Sequence, residues 1–192
     1  MEIVWTCIRK EHHMSTGLNC IKNGIVGGII LFIWSAISWM ILPWHMATLR
    51  GFSNEIAVIQ TVTSNSPQSG IYILPLKQRD VQQGQAQQSP QVFASINFQG
   101  MGTSMAEPML IGFLNQVITA ILVAWLLSKA TGLNYFGRVG FIVVFALAAS
   151  LVTHIPYWNW FAFDTTYTLM IIVDTLIGWL LAGLVMAKLV KT

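Results

Sequence analysis

Seven polar side chains stand out inside stretches of this sequence that are mostly apolar: Ser35, Ser38, Asn115, Gln116, Ser150, His154 and Asp174. Two of them can ionise. A carboxylate and an imidazole surrounded by apolar residues can share a proton, and neighbouring amides and hydroxyls can hold a ligand or a facing helix. One reading makes Asp174 and His154 a protonatable pair lining a pocket. The other makes Asp174 interhelical glue, held by Asn115, Gln116, Ser150 or His154 through bonds worth about 0.6 kcal/mol each in a membrane. Metal chemistry wants several His, Cys or carboxylates at defined spacing, and His45, His154, Asp164 and Asp174 form no such motif. A lone imidazole on a helix face also falls short of the two axial ligands of a haem. The chain therefore carries no cofactor motif, and its chemistry favours binding over turnover.

The elements that must position these groups follow from composition. Of 192 residues, 55% are hydrophobic and 9% charged, and the mean hydropathy is +0.64. Soluble domains carry about 25% charged residues, so a soluble globule is excluded. A net charge of +3 is too small for a nucleic-acid-binding face. An integral membrane protein remains. Cys7, His12, His13 and Cys20 place four soft ligands close together before the first apolar span, but their spacing matches no zinc pattern.

Four stretches reach the ~20 apolar residues that a spanning helix needs: 24–44, 108–128, 139–157 and 167–187. In lipid each must satisfy its own backbone, so they are helices. Seven of the ten basic residues (Arg9, Lys10, Lys22, Lys129, Arg138, Lys188 and Lys191) fall on one side of these spans. Cationic loops stay in the cytoplasm, which puts the segments 1–23, 129–138 and 188–192 there and the segments 45–107 and 158–166 outside. The first apolar run is too long for a signal-peptide core and no small-residue cleavage site follows it. Trp44, His45, Trp158 and Trp160 read as an outer aromatic rim. Counted from the outer ends of the spans, Asp174 lies about 10 Å deep, with the other polar groups also in the outer half of the bilayer.

Small residues set expected contacts. Asp174, Gly178 and Ala182 share one stripe, and Ala146, Ser150 and His154 share another. Such stripes let helices approach, so facing them brings Asp174 against the third span. Between the first two spans the composition turns polar. Ser53 can cap a short helix whose Ile56, Ile59 and Val62 share a face. Residues 71–74 and 92–98 read as a hairpin around a Gln-rich tip at 77–90. A two-stranded hairpin is marginal alone in water and must pack on something.

The sequence Trp34-Ser35-Ala36-Ile37-Ser38-Trp39-Met40, with Leu42-Pro43-Trp44-His45 and Gly70-Ile71-Tyr72-Ile73-Leu74-Pro75, resembles uncharacterised small four-helix membrane proteins of bacteria. The resemblance implies a bacterial inner membrane and no particular activity. The expectation is an all-α, four-transmembrane-helix bundle with a small α/β insertion outside the cytoplasm, between helices 1 and 2. It binds a small apolar or lipid ligand, or assembles with itself or another membrane protein. The alternatives are an oligomeric transporter or proton-linked channel using Asp174 and His154, and a lipid-modifying enzyme in which His45, His154 and Asp174 converge.

Overall fold

In a computed structural model the described residues are 2–76, 90–100, 102 and 104–190, with side chains described from Gly17 onward. The side chains of Cys7, His12 and His13, and most of the Gln-rich tip, lie outside the described set. The order is α1 (Glu2–Met40), α2 (Trp44–Thr48), α3 (Glu55–Asn65), β1 (Gly70–Leu74), β2 (Val92–Ile96), α4 (Ala106–Lys129), α5 (Tyr135–Phe161) and α6 (Thr165–Leu189). Four helices are long and apolar enough to cross a membrane: Gly17–Met40 within α1, then α4, α5 and α6. The architecture is an all-α four-helix bundle with a small α/β insertion.

Helix α1 is the centre of the bundle. It packs against α4 on one side and α6 on the other; α5 packs on α6, and α4 and α5 barely meet. Glycine decides the first of these contacts. A Cβ at Gly24 would stand 2.4 Å from Ile121 Cα, and one at Gly28 would stand 2.5 Å from Val117 Cα. The GxxxG spacing thus lets the α1 and α4 backbones touch, and van der Waals contact replaces the hydrophobic drive that lipid cannot supply. Gly178 does the same for a side chain, since a Cβ there would meet the Trp34 ring at 2.9 Å.

The apolar core occupies the half of the bundle remote from the insertion. Ala120, Val123, Ala124, Leu127, Ile142, Ala146, Ala182 and Met186 are all essentially inaccessible. The ends of this half are capped by cationic and aromatic side chains. Arg138 donates to the Val190 carbonyl at 2.7 Å and Tyr135 to the Leu184 carbonyl at 3.0 Å. The Arg138 guanidinium satisfies a carbonyl that the last turn of α6 leaves open and complements its dipole.

The insertion begins where α1 stops before Pro43 and the chain doubles back as α2, which lies against α6. Helix α3 is capped by Asn54, whose side chain accepts from the Ala57 amide, and not by Ser53 as expected; the register is one residue later. Its Ile56 and Ile59 are exposed. Strands β1 and β2 pair antiparallel with Tyr72 opposite Ala94. The support the hairpin needs is the α5–α6 turn: Phe93 packs among Tyr157, Phe161 and Phe163, and Gln91 donates to the Trp160 carbonyl. At that turn Ala162 adopts a left-handed conformation (φ 55°), and Asp164 caps α6 by accepting from the Tyr167 amide. That backbone hydrogen bond holds the Asp164 carboxyl below its ordinary value, with the nearby Arg50 charge acting in the same direction.

Candidate functional site

The pattern Trp34, Ser35, Ser38, Trp39 places two adjacent pairs, four residues apart, on adjoining faces of α1. Opposite them, Asp174 lies about 13 Å along α6 from its first residue. One oxygen of Asp174, Oδ1, accepts from Trp34 Nε1 at 2.8 Å and from Ser38 Oγ at 2.7 Å. The other, Oδ2, lies 3.3 Å from His45 Nε2. His45 arrives from α2 because Pro43 lets the chain turn over the end of α1. Its Nε2 is also 2.9 Å from Ser38 Oγ, and Trp44 Nε1 donates to the same hydroxyl at 3.0 Å. The Trp39 ring stacks on the imidazole at 3.9 Å, nearly parallel.

Burial makes the network matter. Ser38 and His45 are 0% and 1% exposed, and the Asp174 side chain is 13% exposed. A carboxylate shut away from water needs several donors, and this one has three, two from α1 and one from α2. The arrangement is not a nucleophile–base–acid relay. In such a relay the serine and the carboxylate bind opposite nitrogens of the histidine. Here both approach Nε2, and Nδ1 is buried without a partner among the described residues. Ser38 is sealed from any substrate.

Asp174 also faces a cleft of about 300 Å3 where α4 and α6 diverge from α1. Its floor is Leu31, Trp34, Ser35 and Trp39; its walls are Asn115, Gln116 and Thr119 on α4 and Thr175, Gly178 and Trp179 on α6. Ser35, Trp39 and Gln116 also border a second, apolar groove of about 670 Å3, formed with Phe32, Met40, Met105, Met109 and Gly112 between α1 and α4.

The structure therefore brings Asp174, Asn115, Gln116 and Ser35 together around one cleft, with Ser38 behind it. It does not bring in Ser150 or His154. The stripe of Asp174 and Gly178 faces Trp34 and Leu31 of α1, not the stripe on α5, because α6 lies between α1 and α5 and offers α5 its Gly183 side instead. Ser150 is buried with its hydroxyl unpartnered among the described residues, and His154 makes no hydrogen bond to Asp174. The imidazole that meets the carboxylate is His45. This corrects the expected rim: His45 is interior, Trp44 is tied to Ser38, and only Trp158 and Trp160 remain exposed, at the α5–α6 turn. Among the described residues, no three His, Cys, Asp or Glu side chains converge as a metal site. Trp34, Trp39 and Trp179 were not singled out as site residues. Trp34 carried the signal, since it stands one turn before Ser38 on the same face, about 9 Å inside the end of α1 at Met40.

Compared with known proteins, the chain finds no match among family models, curated proteins or solved structures.

Proposed function

We propose that this is a multi-pass membrane protein that binds an amphiphile in the α1–α4–α6 cleft without turning it over. The observation that carries the reading is the adjacency of the two cavities: a polar cleft at Asp174 and an apolar groove share the wall Ser35, Trp39 and Gln116. Ligand sites are mostly apolar concavities with a few placed polar groups, and this pair has that composition. The sealed Ser38 and the shared Nε2 speak against acyl-transfer chemistry. The Lys and Arg distribution supports an orientation with both termini cytoplasmic and the cleft in the outer half of the bilayer, and the resemblance to small bacterial four-helix proteins supports an inner membrane.

The test blocks the groove. A Cβ at Gly112 would meet nothing within 4 Å, so the backbone there has room for a side chain and Gly112→Phe directs its ring into the groove that Gly112 lines. Native mass spectrometry from nanodiscs should find lipid retained by the parent protein and lost in Gly112→Phe at unchanged thermal stability. Equal retention in both sinks the reading. Proton-linked transport draws on the same carboxylate, with His45 in the place expected for His154. Proton flux in liposomes that Asp174→Asn abolishes would favour it.

A further inference from the structure

We infer that the cleft selects an ammonium headgroup, so that the bound amphiphile is an aminolipid with its headgroup at Asp174 and one chain in the α1–α4 groove. The inference rests on the amphiphile-binding reading and adds the charge of the ligand to it.

The polar atoms of the cleft are biased toward acceptors. Asp174 Oδ1 is saturated by Trp34 and Ser38, but Oδ2 has only His45, at 3.3 Å. A carboxylate oxygen accepts two bonds, so one position on Oδ2 is open. Gln116 Oε1 is buried and has no hydrogen-bond partner among the described residues, while the Gln116 amide adds one donor group to the same wall. Thr119 and Thr175 both line the cleft, and each commits its hydroxyl proton to its own helix, to the Asn115 and Ile171 carbonyls at 2.8 Å. What each threonine has left to offer a ligand is a lone pair. The Trp34 N–H is likewise committed, to Asp174. Ser35 and Asn115 can donate or accept and add no bias. A ligand that donates several hydrogen bonds and carries positive charge answers this set, and an ammonium group does both.

Two further features agree. Three indoles, Trp34, Trp39 and Trp179, line the cleft, and aromatic rings attract ammonium groups electrostatically, most strongly where water is excluded. Among the described residues no Lys or Arg lines either cavity, so neither offers an anionic headgroup a counter-charge.

The experiment measures lipid retention by native mass spectrometry from phosphatidylcholine nanodiscs doped with equal amounts of phosphatidylethanolamine, N-acetyl-phosphatidylethanolamine and phosphatidylglycerol of identical chains. We expect phosphatidylethanolamine to be retained about tenfold over the other two guests, the size of one charge-assisted contact. Gln116→Leu, which breaks no existing bond, should cut that preference severalfold, and Asp174→Asn should abolish it. If Asp174→Asn does not fold, the Gln116→Leu arm still decides. Equal retention of the three guests, lost in Gly112→Phe, would overturn the ammonium selectivity and leave amphiphile binding standing. Retention that ignores Gly112→Phe would overturn both.

Discussion

From Gly24 to Leu31, α1 meets its neighbours through glycine and aliphatic side chains; from Trp34 to Trp39 it meets them through indoles and hydroxyls. The same helix pairs thus close by opposite means at their two ends. In the remote half, the glycines bring backbones into contact, Ala120, Val123, Ala124 and Leu127 of α4 are inaccessible, and dispersion is the main force that holds the seam. In the half next to the insertion, α4 and α6 spread apart, a cleft opens, and one carboxylate with its three donors ties α1, α2 and α6 together. Close packing leaves no room for a ligand. The polar tie supports a cavity because it holds the helices at a distance that side chains, rather than backbones, define.

Substitutions that attack each half should therefore differ in size and character. The largest effect is expected in the seam. Gly24→Leu drives a side chain into the backbone of α4 at Ile121 and should cost more than about 3 kcal/mol or abolish folding; unfolding in mixed micelles measures it, and a loss below about 1 kcal/mol would show that the seam is not close-packed. Next comes the tie itself. Asp174→Ala leaves Trp34, Ser38 and His45 without their acceptor and should cost about 3 kcal/mol, with the change seen in tryptophan emission as well as in melting. A stability equal to that of the parent would mean that the tie does not hold this half together. At the α5–α6 turn, Ala162→Gly removes the strain of a left-handed alanine and should stabilise by about 1 kcal/mol; any destabilisation on thermal melting counts against the turn geometry. The smallest effect is electrostatic. The Asp164 carboxyl is held below its ordinary value near 3.8, so its capping contribution is complete above that pH and fades as pH falls through the lowered value. Asp164→Asn should therefore lower the melting temperature at pH 7 and match the parent in strong acid, and a difference independent of pH would contradict the cap.

How much of this was legible depends on what carries the information. The four helices follow from runs of apolar residues, and the polar residues at and behind the cleft (Ser35, Asn115, Gln116 and Asp174, with Ser38 behind) stand out because lipid tolerates so few such side chains. Which helices meet was harder to read. Facing the small-residue stripes of consecutive spans led to His154, whereas the glycines of α1 draw that helix between α4 and α6 and turn Asp174 away from α5. His45 was hidden for another reason. A His beside Trp and Pro at the end of a span looks interfacial, and only the reversal of the chain at α2 folds it inward over Ser38. Trp179 carried no signal, because an indole on an apolar helix is ordinary.

The tie joins residues far apart in the chain, with 136 positions separating Ser38 from Asp174. During synthesis α1 enters the bilayer long before α6 does, so the Trp34 indole waits unpaired, and Ser38 has only Trp44 and His45, while α4 and α5 are made. The first helix can complete its burial only when the last arrives. A chain that stops short of α6 would present Trp34 and Ser38 as an open polar scar in lipid, the kind of surface by which quality control recognises an unfinished membrane protein.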